Sequence, residues 1–348
     1  MKLSTALAWL VAAGLSLGIA QAQVNLSAET AAPTGVPGTS VLALAEVASK
    51  TGIADIQVKT GQTLTNSLQN LAEGKIDISA VPSLLPFLMS KGAGPYAKLG
   101  PEKGAELASQ VAMLYTYRLA LYGLSAYDSK NFGGWDAIEG KTIFNGPPRG
   151  AALTKARGLI KLATGLDDGE GYTGVQVNWG QAVKTITDGS ADAQVLPMSF
   201  PDGRLGQAAA SGAITVFSLP KSVYESETGV KYGKAPGVVA MVVPVTDEMF
   251  GSNISVVSDD GNFRGYGDVG GDAVNVSMDE ETAYQLTKAF IENKSVYVAK
   301  APFMGNTWLG ETGVEKSGMC GANPVKYHAG AVRAWEEAGV SIPDCAKP

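Results

Sequence analysis

The residues that best suit a chemical role form a polar loop, Thr60–Thr63, between an apolar strand and a helix. Alternating apolar residues predict a strand over Ile56–Val58, and helical spacing of leucines predicts a helix over Leu64–Ala72. The hydroxyl of Thr63 or Thr65 is expected to cap that helix. Because the first amides of a helix are unpaired and carry partial positive charge, the loop should attract an anion such as a carboxylate.

Three further loops follow predicted strands in the same way. In chain order the four predicted loops are Thr34–Ser40, Thr60–Asn66 with Ser83 beyond the next strand, Asn145–Ala151, and Pro197–Pro201. Open α/β sheets bind ligands at the carboxyl ends of their strands, so the four loops together predict one ligand-binding cleft. The predicted ligand-binding residues are Thr34, Gly35, Gly38, Thr39, Ser40, Thr60, Gly61, Thr65, Asn66, Ser83, Asn145, Pro148, Arg149, Gly150, Ala151, Ser199 and Phe200.

Arg149 is the cation that we expect to contact the ligand, because a guanidinium can grip a carboxylate through two parallel N–H bonds. The alternative is an exposed arginine in a turn. Arg118 and Arg204 are weaker candidates, and Arg118 could instead neutralise a buried carboxylate. Phe200 and Trp179 could form an apolar cleft wall, although Trp179 also suits a core.

Motifs typical of enzymes are poorly placed in this chain. The sequence Gly14–Gly18 matches G-x-S-x-G but lies in an apolar N-terminal segment, and Gly265–Gly270 matches G-x-G-x-x-G without a strand before it. Asp260–Gly265 imitates the start of a calcium loop but has Arg264 at a ligand position. His328 is the only histidine and is expected to make a structural hydrogen bond at a helix start. We therefore predict no catalytic residue, metal or cofactor.

Strand-like and helix-like segments alternate along the chain, which predicts βα units and mostly parallel sheets. The apolar, aromatic segment Val111–Leu124 lacks helix caps and is expected to be a long strand that crosses between two lobes. The polar, glycine-rich segment Ser252–Asp272 is predicted to be an inserted surface loop. Helical spacing returns at Glu280–Glu292.

Four segments also resemble a known family. Thr60, Gly61, Asn66, Leu71, Ala72, Gly74, Asp77 and Val81 follow the pattern of the TAXI proteins, the solute receptors of one class of tripartite ATP-independent periplasmic (TRAP) transporters. Thr34–Lys50 resembles the first glycine-rich loop and helix of the family, Asp136–Leu153 its second-lobe segment, and Tyr327–Gly339 its closing segment. The resemblance covers most of the chain in order, except about Ser211 to Asp272.

The resemblance implies a type II-like periplasmic binding protein with two α/β lobes. The first lobe is expected to contain residues 23–123 and about 270–348, and the second 124–269. Departures such as Ser40-Val41, where the family carries two tyrosines, leave the family's dicarboxylate ligands an open question for this chain.

The N-terminal residues and the two cysteines predict where the protein is located. Lys2, an apolar stretch and Ala20-Gln21-Ala22 are typical of a signal peptide cleaved after Ala22. Two cysteines in an exported chain favour a disulfide between Cys320 and Cys345. The alternative, a catalytic thiol, lacks a paired base.

We interpret the chain as a periplasmic receptor, without enzymatic activity, that captures a small organic acid and delivers it to TRAP permease subunits. The net charge of −6 without a basic cluster argues against nucleic acid, and a monomer is expected. Three alternatives are a receptor for an ATP-driven importer or sensor kinase, an exported enzyme of the same shape, and a structural or adhesion protein.

Overall fold

The computed structural model describes residues 23–247 and 249–348. The predicted signal peptide, its cleavage site and the Gly14–Gly18 motif lie outside the described residues. No helix in the described part of the chain is long and apolar enough to cross a membrane.

Strands and helices alternate through most of the described chain, as the sequence predicts. The strands are β1 Val24–Glu29, β2 Ala54–Lys59, β3 Ile78–Pro82, β4 Val111–Tyr127, β5 Thr142–Phe144, β6 Thr173–Val175, β7 Ala193–Met198, β8 Ile214–Phe217, β9 Val238–Pro244, β10 Ile254–Val257, β11 Asn262–Asn275 and β12 Lys326–Tyr327. The helices are α1 Val36–Lys50, α2 Leu64–Ala72, α3 Leu84–Ser90, α4 Gly100–Ala108, α5 Ala151–Thr164, α6 Ala182–Thr187, α7 Gly203–Ala209, α8 Lys221–Tyr224, α9 Glu227–Gly233, α10 Glu280–Glu292, α11 Lys294–Lys300, α12 Val314–Ser317 and α13 Ala329–Glu337.

The strands form one curled sheet in the order β2-β1-β3-β11-β4-β7-β5-β6. Parallel pairs build its two ends, where β1 lies beside β2 and β3, and β5 lies beside β6 and β7. The two long strands β4 and β11 pair antiparallel in the middle. This arrangement confirms the predicted α/β class and the predicted long strand at Val111–Leu124.

Apolar side chains gather on either side of a crossing region in the long strands. One cluster, here called the first core, includes buried residues of β4 as far as Tyr117 and of β11 from Ala273 onward. Two further clusters, together called the second core, include buried residues of β4 from Leu121 onward and of β11 as far as Val269. The crossing region is therefore residues 118–120 of β4 and 270–272 of β11. The predicted lobe boundaries remain a prediction, although β4 and β11 each serve both cores.

The predicted surface loop at Ser252–Asp272 is wrong, because this segment contains β10 and the greater part of the buried strand β11. The glycines that suggested a loop let neighbouring strands approach. A Cβ on Gly267 would lie 2.4 Å from the carbonyl oxygen of Ala120, and one on Gly271 would lie 2.0 Å from that of Tyr115. The G-x-G-x-x-G match is therefore an interior strand, and its glycines serve packing.

Of the predictions for single residues, two are confirmed and one is wrong. Cys320 and Cys345 form the predicted disulfide, and His328 begins α13 by accepting a hydrogen bond from the Gly330 amide at Nδ1. The predicted side-chain cap of α2 is wrong, because its N-cap residue Thr63 makes no such bond.

Candidate functional site

The first predicted loop, Thr34–Ser40, begins at the surface and ends in the interior. Thr34 is exposed, Gly35 precedes α1, and Gly38 lies so close to Ala32 that a Cβ would be 2.1 Å from the Ala32 carbonyl oxygen. The Thr39 hydroxyl donates to the carbonyl oxygen of Pro33 at 3.1 Å. Ser40 is buried and donates to Asp272 Oδ2 at 2.9 Å, so its hydroxyl stabilises the interior.

The second predicted loop uses some of its amides internally. The amides of Gly61 and Gln62 donate to the carbonyl oxygens of Ala31 and Thr30 at 3.0 and 2.9 Å, so these two amides are not free to bind an anion. Thr60 is half-buried, Asn66 is exposed and Thr65 is buried. These predicted residues therefore face different surroundings.

Ser83 follows β3 and is buried next to the crossing region. Its amide donates to the carbonyl oxygen of Val269 at 3.0 Å. Its hydroxyl has no hydrogen-bond partner among the described residues, and it lies 3.3 Å from a Cβ built on Gly318. A buried hydroxyl without a partner is costly, and this one lies beside the strand partner of Arg118.

The third predicted loop reaches from the second core to the first. Asn145 is buried and holds its neighbours, donating to Asp168 at 3.2 Å and accepting from Gln176 at 2.8 Å. The end of the loop contacts the first core. A Cβ on Gly150 would lie 3.2 Å from Thr65 Oγ1, and Ala151 packs against the first core. The exposed residues of this loop are Pro148 and Arg149.

The fourth predicted loop contributes an aromatic wall. The Ser199 amide donates to Asp202 at 3.0 Å, and Phe200 is buried with its ring 5.0 Å from that of Phe250. The carbonyl oxygen of Phe200 accepts from Asn306 Nδ2 at 3.0 Å. Asn306 belongs to a C-terminal segment that the sequence analysis did not connect with this loop.

Arg118 lies at the crossing region and contacts both this aromatic wall and the C-terminal segment. The residue is 5% exposed, with the guanidinium carbon 4.8 Å from the centre of the Phe200 ring and 5.5 Å from that of Trp308. Nη2 donates to the carbonyl oxygen of Asn306, and Nη1 has a long contact of 3.9 Å with Met241 Sδ. A guanidinium has five N–H donors, so several remain available.

No carboxylate forms an ion pair with Arg118 in the described part of the chain, so the alternative that it neutralises a buried carboxylate finds no support among those residues. Burial lowers the pKa of Arg118 to about 10, and no nearby charge opposes that effect. The group nevertheless stays protonated at neutral pH. Arg118 is therefore a buried positive charge for which the described residues supply no negative partner.

The other two buried cations among the described residues, Lys155 and Arg264, and the half-buried Arg204 are paired with carboxylates. Lys155 pairs with Asp268, which also accepts from Tyr122 at 2.9 Å. Arg204 pairs with Asp202 at 3.1 Å. Arg204 also lies 5.0 Å from the ring of the half-buried Trp179, which packs against the second core. Arg264 bonds Asp260, so the calcium-like segment is a strand held by an ion pair.

Asp272 is a buried acid on the other crossing strand. It accepts from Tyr115 at 2.5 Å and from Tyr117 at 2.6 Å, in addition to Ser40. Burial raises the pKa of Asp272 to about 6, although these hydrogen bonds lower it. The sequence did not indicate a role for Asp272, because the segment Ser252–Asp272 was predicted to be a surface loop.

Two cavities lie away from the predicted residues. One of about 460 Å³ is lined by residues 127–130, 186–189 and 211–213, and one of about 10 Å³ lies beside Asp202 and Arg204. None of the predicted ligand-binding residues lines either. No group of three or more His, Cys, Asp or Glu side chains suited to a metal occurs within residues 23–247 and 249–348.

Several solved structures are similar to this chain. A protein of Bordetella bronchiseptica is 14% identical, with a TM-score of 0.52, and the alignment covers 92% of this chain and 99% of that one. TRAP periplasmic solute-binding proteins of Desulfovibrio salexigens, in complex with diglycerolphosphate, and Ralstonia eutropha, with bound (S)-2-acetolactate, are each 12% identical. Each alignment covers 92% of this chain and 86% of the other, with TM-scores of 0.47 and 0.45.

No protein of curated function matches the sequence. A family model described as NMT1-like matches residues 30–339, which include all of the strands from β2 to β12 and every predicted ligand-binding loop. The match spans far more than half of the chain, and the chain therefore belongs to the NMT1-like family.

Proposed function

We propose that the protein is a periplasmic solute receptor that binds a small organic anion between its two cores, with Arg118 as the main charged contact. The finer parts of the proposal are delivery to a TRAP-type permease and membership of the TAXI class. They rest on the four resembling segments and on the signal peptide predicted at residues 1–22. The fold shared with the Bordetella protein is compatible with them.

The observation that carries the proposal is the uncompensated charge of Arg118. Removing a guanidinium from water without a counter-charge destabilises a folded protein by several kcal/mol. Hydrogen bonds to a carbonyl oxygen and contacts with aromatic rings offset only part of that cost. A bound carboxylate would supply the missing charge and a bidentate pair of hydrogen bonds.

The surroundings of Arg118 suit a cleft that closes. Gly150 approaches Thr65, and Gly237 approaches the start of α3, so two turns of the second core touch the first. The only described strands that serve both cores are β4 and β11, and their pairing carries irregularities at Asp268/Val269 and Asp272/Ala273. Bending at such positions would open the contacts and admit a ligand to Arg118.

The test is a thermal-shift screen of organic acids on the protein without residues 1–22, followed by calorimetric titration. A ligand at one hundred times its Kd should stabilise the protein by about 2.7 kcal/mol. Arg118→Gln should remove a charge-assisted pair worth roughly 1.5–3 kcal/mol and weaken binding about tenfold to a hundredfold.

Two arginine variants serve as controls. Arg204→Gln changes a guanidinium that is also near a tryptophan ring but is already paired with Asp202, so affinity should be unchanged. Arg149→Ala tests the arginine chosen from the sequence. If Arg149→Ala weakens binding and Arg118→Gln does not, the charged contact belongs to the exposed loop. If neutral sugars or cations shift the melting point and organic acids do not, the receptor does not bind anions.

A further inference from the structure

The surroundings of Arg118 also constrain what kind of anion fits, an inference that rests on the function proposed above. The charge is the first constraint. Lys155, Arg204 and Arg264 each have a carboxylate partner, which leaves Arg118 as the one buried cation without a carboxylate in the described part of the chain. A ligand here would find compensation for one negative charge.

The walls are the second constraint. Phe200 and Trp308 lie over the guanidinium within cation–π distance, and Met241 Sδ lies near Nη1. Rings that cover guanidinium faces leave its N–H edges to bind a carboxylate. The remainder of the ligand would then lie against rings and thioether. Lys316 Nζ lies 5.7 Å from the centre of the Trp308 ring, but it is paired with Glu311 at 3.7 Å. A second carboxylate placed against the rings would therefore lose water without gaining an unpaired cation, which is unfavourable.

The backbone at Trp308 is the third observation. Trp308 has a φ of +51°, which bulky residues rarely adopt, so its conformation is held by the surrounding structure. The holding contacts are visible: the Arg118 amide donates to the carbonyl oxygen of Thr307, and the guanidinium donates to that of Asn306. The strained segment thus fixes the indole ring beside the charge, and the ring packs against the second core.

We propose that Trp308 is a specificity-determining residue and that the ligand is a monoanion with an apolar body. The carboxylate, or a group of like charge, binds the edge of Arg118, and the hydrocarbon part packs against Trp308 and Phe200. Dicarboxylates of the same length are rejected because Lys316, the cation over the Trp308 ring, is already paired with Glu311.

The experiment measures Kd by calorimetric titration for matched acids: each monocarboxylate that binds, the dicarboxylate of the same chain length, and a monocarboxylate two carbons shorter. Hexanoate, adipate and butanoate form the first set. The monocarboxylate should bind at least about tenfold tighter than its matched dicarboxylate. Equal or tighter binding of the dicarboxylates would overturn the inference about charge.

Three variants test the role of Trp308. Trp308→Gly tolerates the positive φ and removes the ring, so it should weaken hexanoate about tenfold and butanoate much less. Trp308→Phe should restore most of the affinity for hexanoate. Trp179→Gly removes the same side chain beside the compensated Arg204 and should change neither. A uniform loss for both acids in Trp308→Gly would mean that Trp308 only supports the fold.

The two proposals fail in different ways. If no organic acid binds, the anion-receptor function fails and the specificity fails with it. If acids bind through Arg118 but dicarboxylates bind best, the receptor function stands and the monoanion inference alone is wrong.

Discussion

Replacing Asp272 with asparagine should remove a large part of the pH dependence of unfolding between about pH 4 and pH 6. In the folded protein burial raises the pKa of Asp272 to about 6, whereas an exposed aspartate has a pKa of 3.8. Between these values the folded state holds a proton that the unfolded state has released. The stabilisation from Asp272 is therefore complete below pH 3.8 and is lost as the pH rises through about 6.

The size of this effect follows from the two pKa values. Their difference corresponds to about 3 kcal/mol of unfolding free energy between the acidic and neutral limits. Asp202 and Asp168 act in the opposite direction: their partners, chiefly arginine and backbone amides, hold their pKa low despite burial. The pH profile of the wild-type protein alone is therefore a sum of opposed effects, and only its difference from the variant isolates Asp272.

The assay is urea denaturation of both proteins, without residues 1–22, at several pH values from 4 to 7. The variant should gain about 2 kcal/mol relative to the wild type as the pH rises from 4 to 7, because part of the effect is already present at pH 4. The amide adds a constant offset among Ser40, Tyr115 and Tyr117 that does not change this difference. Asp55→Asn, at an exposed position on β2, is the control and should run parallel to the wild type. Parallel curves for Asp272→Asn and the wild type would refute the reasoning.

Three further predictions concern stability. Arg118→Met should raise the unfolding free energy of the ligand-free protein by about 1–3 kcal/mol, because an apolar side chain removes an uncompensated buried charge; a loss in urea denaturation would contradict this. Replacing both Cys320 and Cys345 with serine should lower that free energy by about 3 kcal/mol in the chain-entropy model, and unchanged stability would show that the disulfide contributes little. Gly237→Ala should cost more than Gly261→Ala in the same assay, because both glycines have a positive φ but only Gly237 would place its Cβ against the backbone of α3.

The sequence predicted the fold where each segment carries its own pattern. The leucine spacing of Leu64–Ala72 marks both ends of α2, and the uninterrupted apolar run at Val111–Leu124 indicates β4 because a strand buried on both faces needs no alternation. Strand ends that depend on pairing rather than on pattern differ from the prediction: the strand expected at Ile56–Val58 is Ala54–Lys59.

The segment Ser252–Asp272 shows why local composition fails at β11. Glycine and aspartate are depleted in strands on average. In β11 the glycines admit neighbouring backbones, Asp268 bonds Lys155 and Tyr122, and Asp272 bonds three hydroxyl groups. Every one of these partners is distant in sequence, so no local window contains the information that makes the strand stable.

The candidate site was predictable to the level of loops but not of contacts. Strand ends identified the neighbourhoods of Thr65, Gly150 and Phe200, since the chain must turn there. The partner of Phe200 could not be inferred, because Asn306 and Trp308 lie in an irregular segment with no periodic pattern. Nor could the sequence show that no described carboxylate pairs with Arg118, since that depends on which acids the fold brings near.

The crossing strands contain two opposite charges that do not neutralise each other. In the pairing of β4 with β11, Arg118 stands opposite Val269 and Asp272 stands opposite Tyr115. The two positions are three residues apart along each strand, about 10 Å, which is too far for an ion pair. Asp272 is satisfied by hydroxyl groups within the first core, whereas among the described residues Arg118 has only a carbonyl oxygen, a sulfur atom and two rings. A fold selected for stability alone would gain by pairing these groups or replacing both with apolar residues. Keeping the arginine unpaired where both cores meet favours a binding site whose missing charge comes from the ligand.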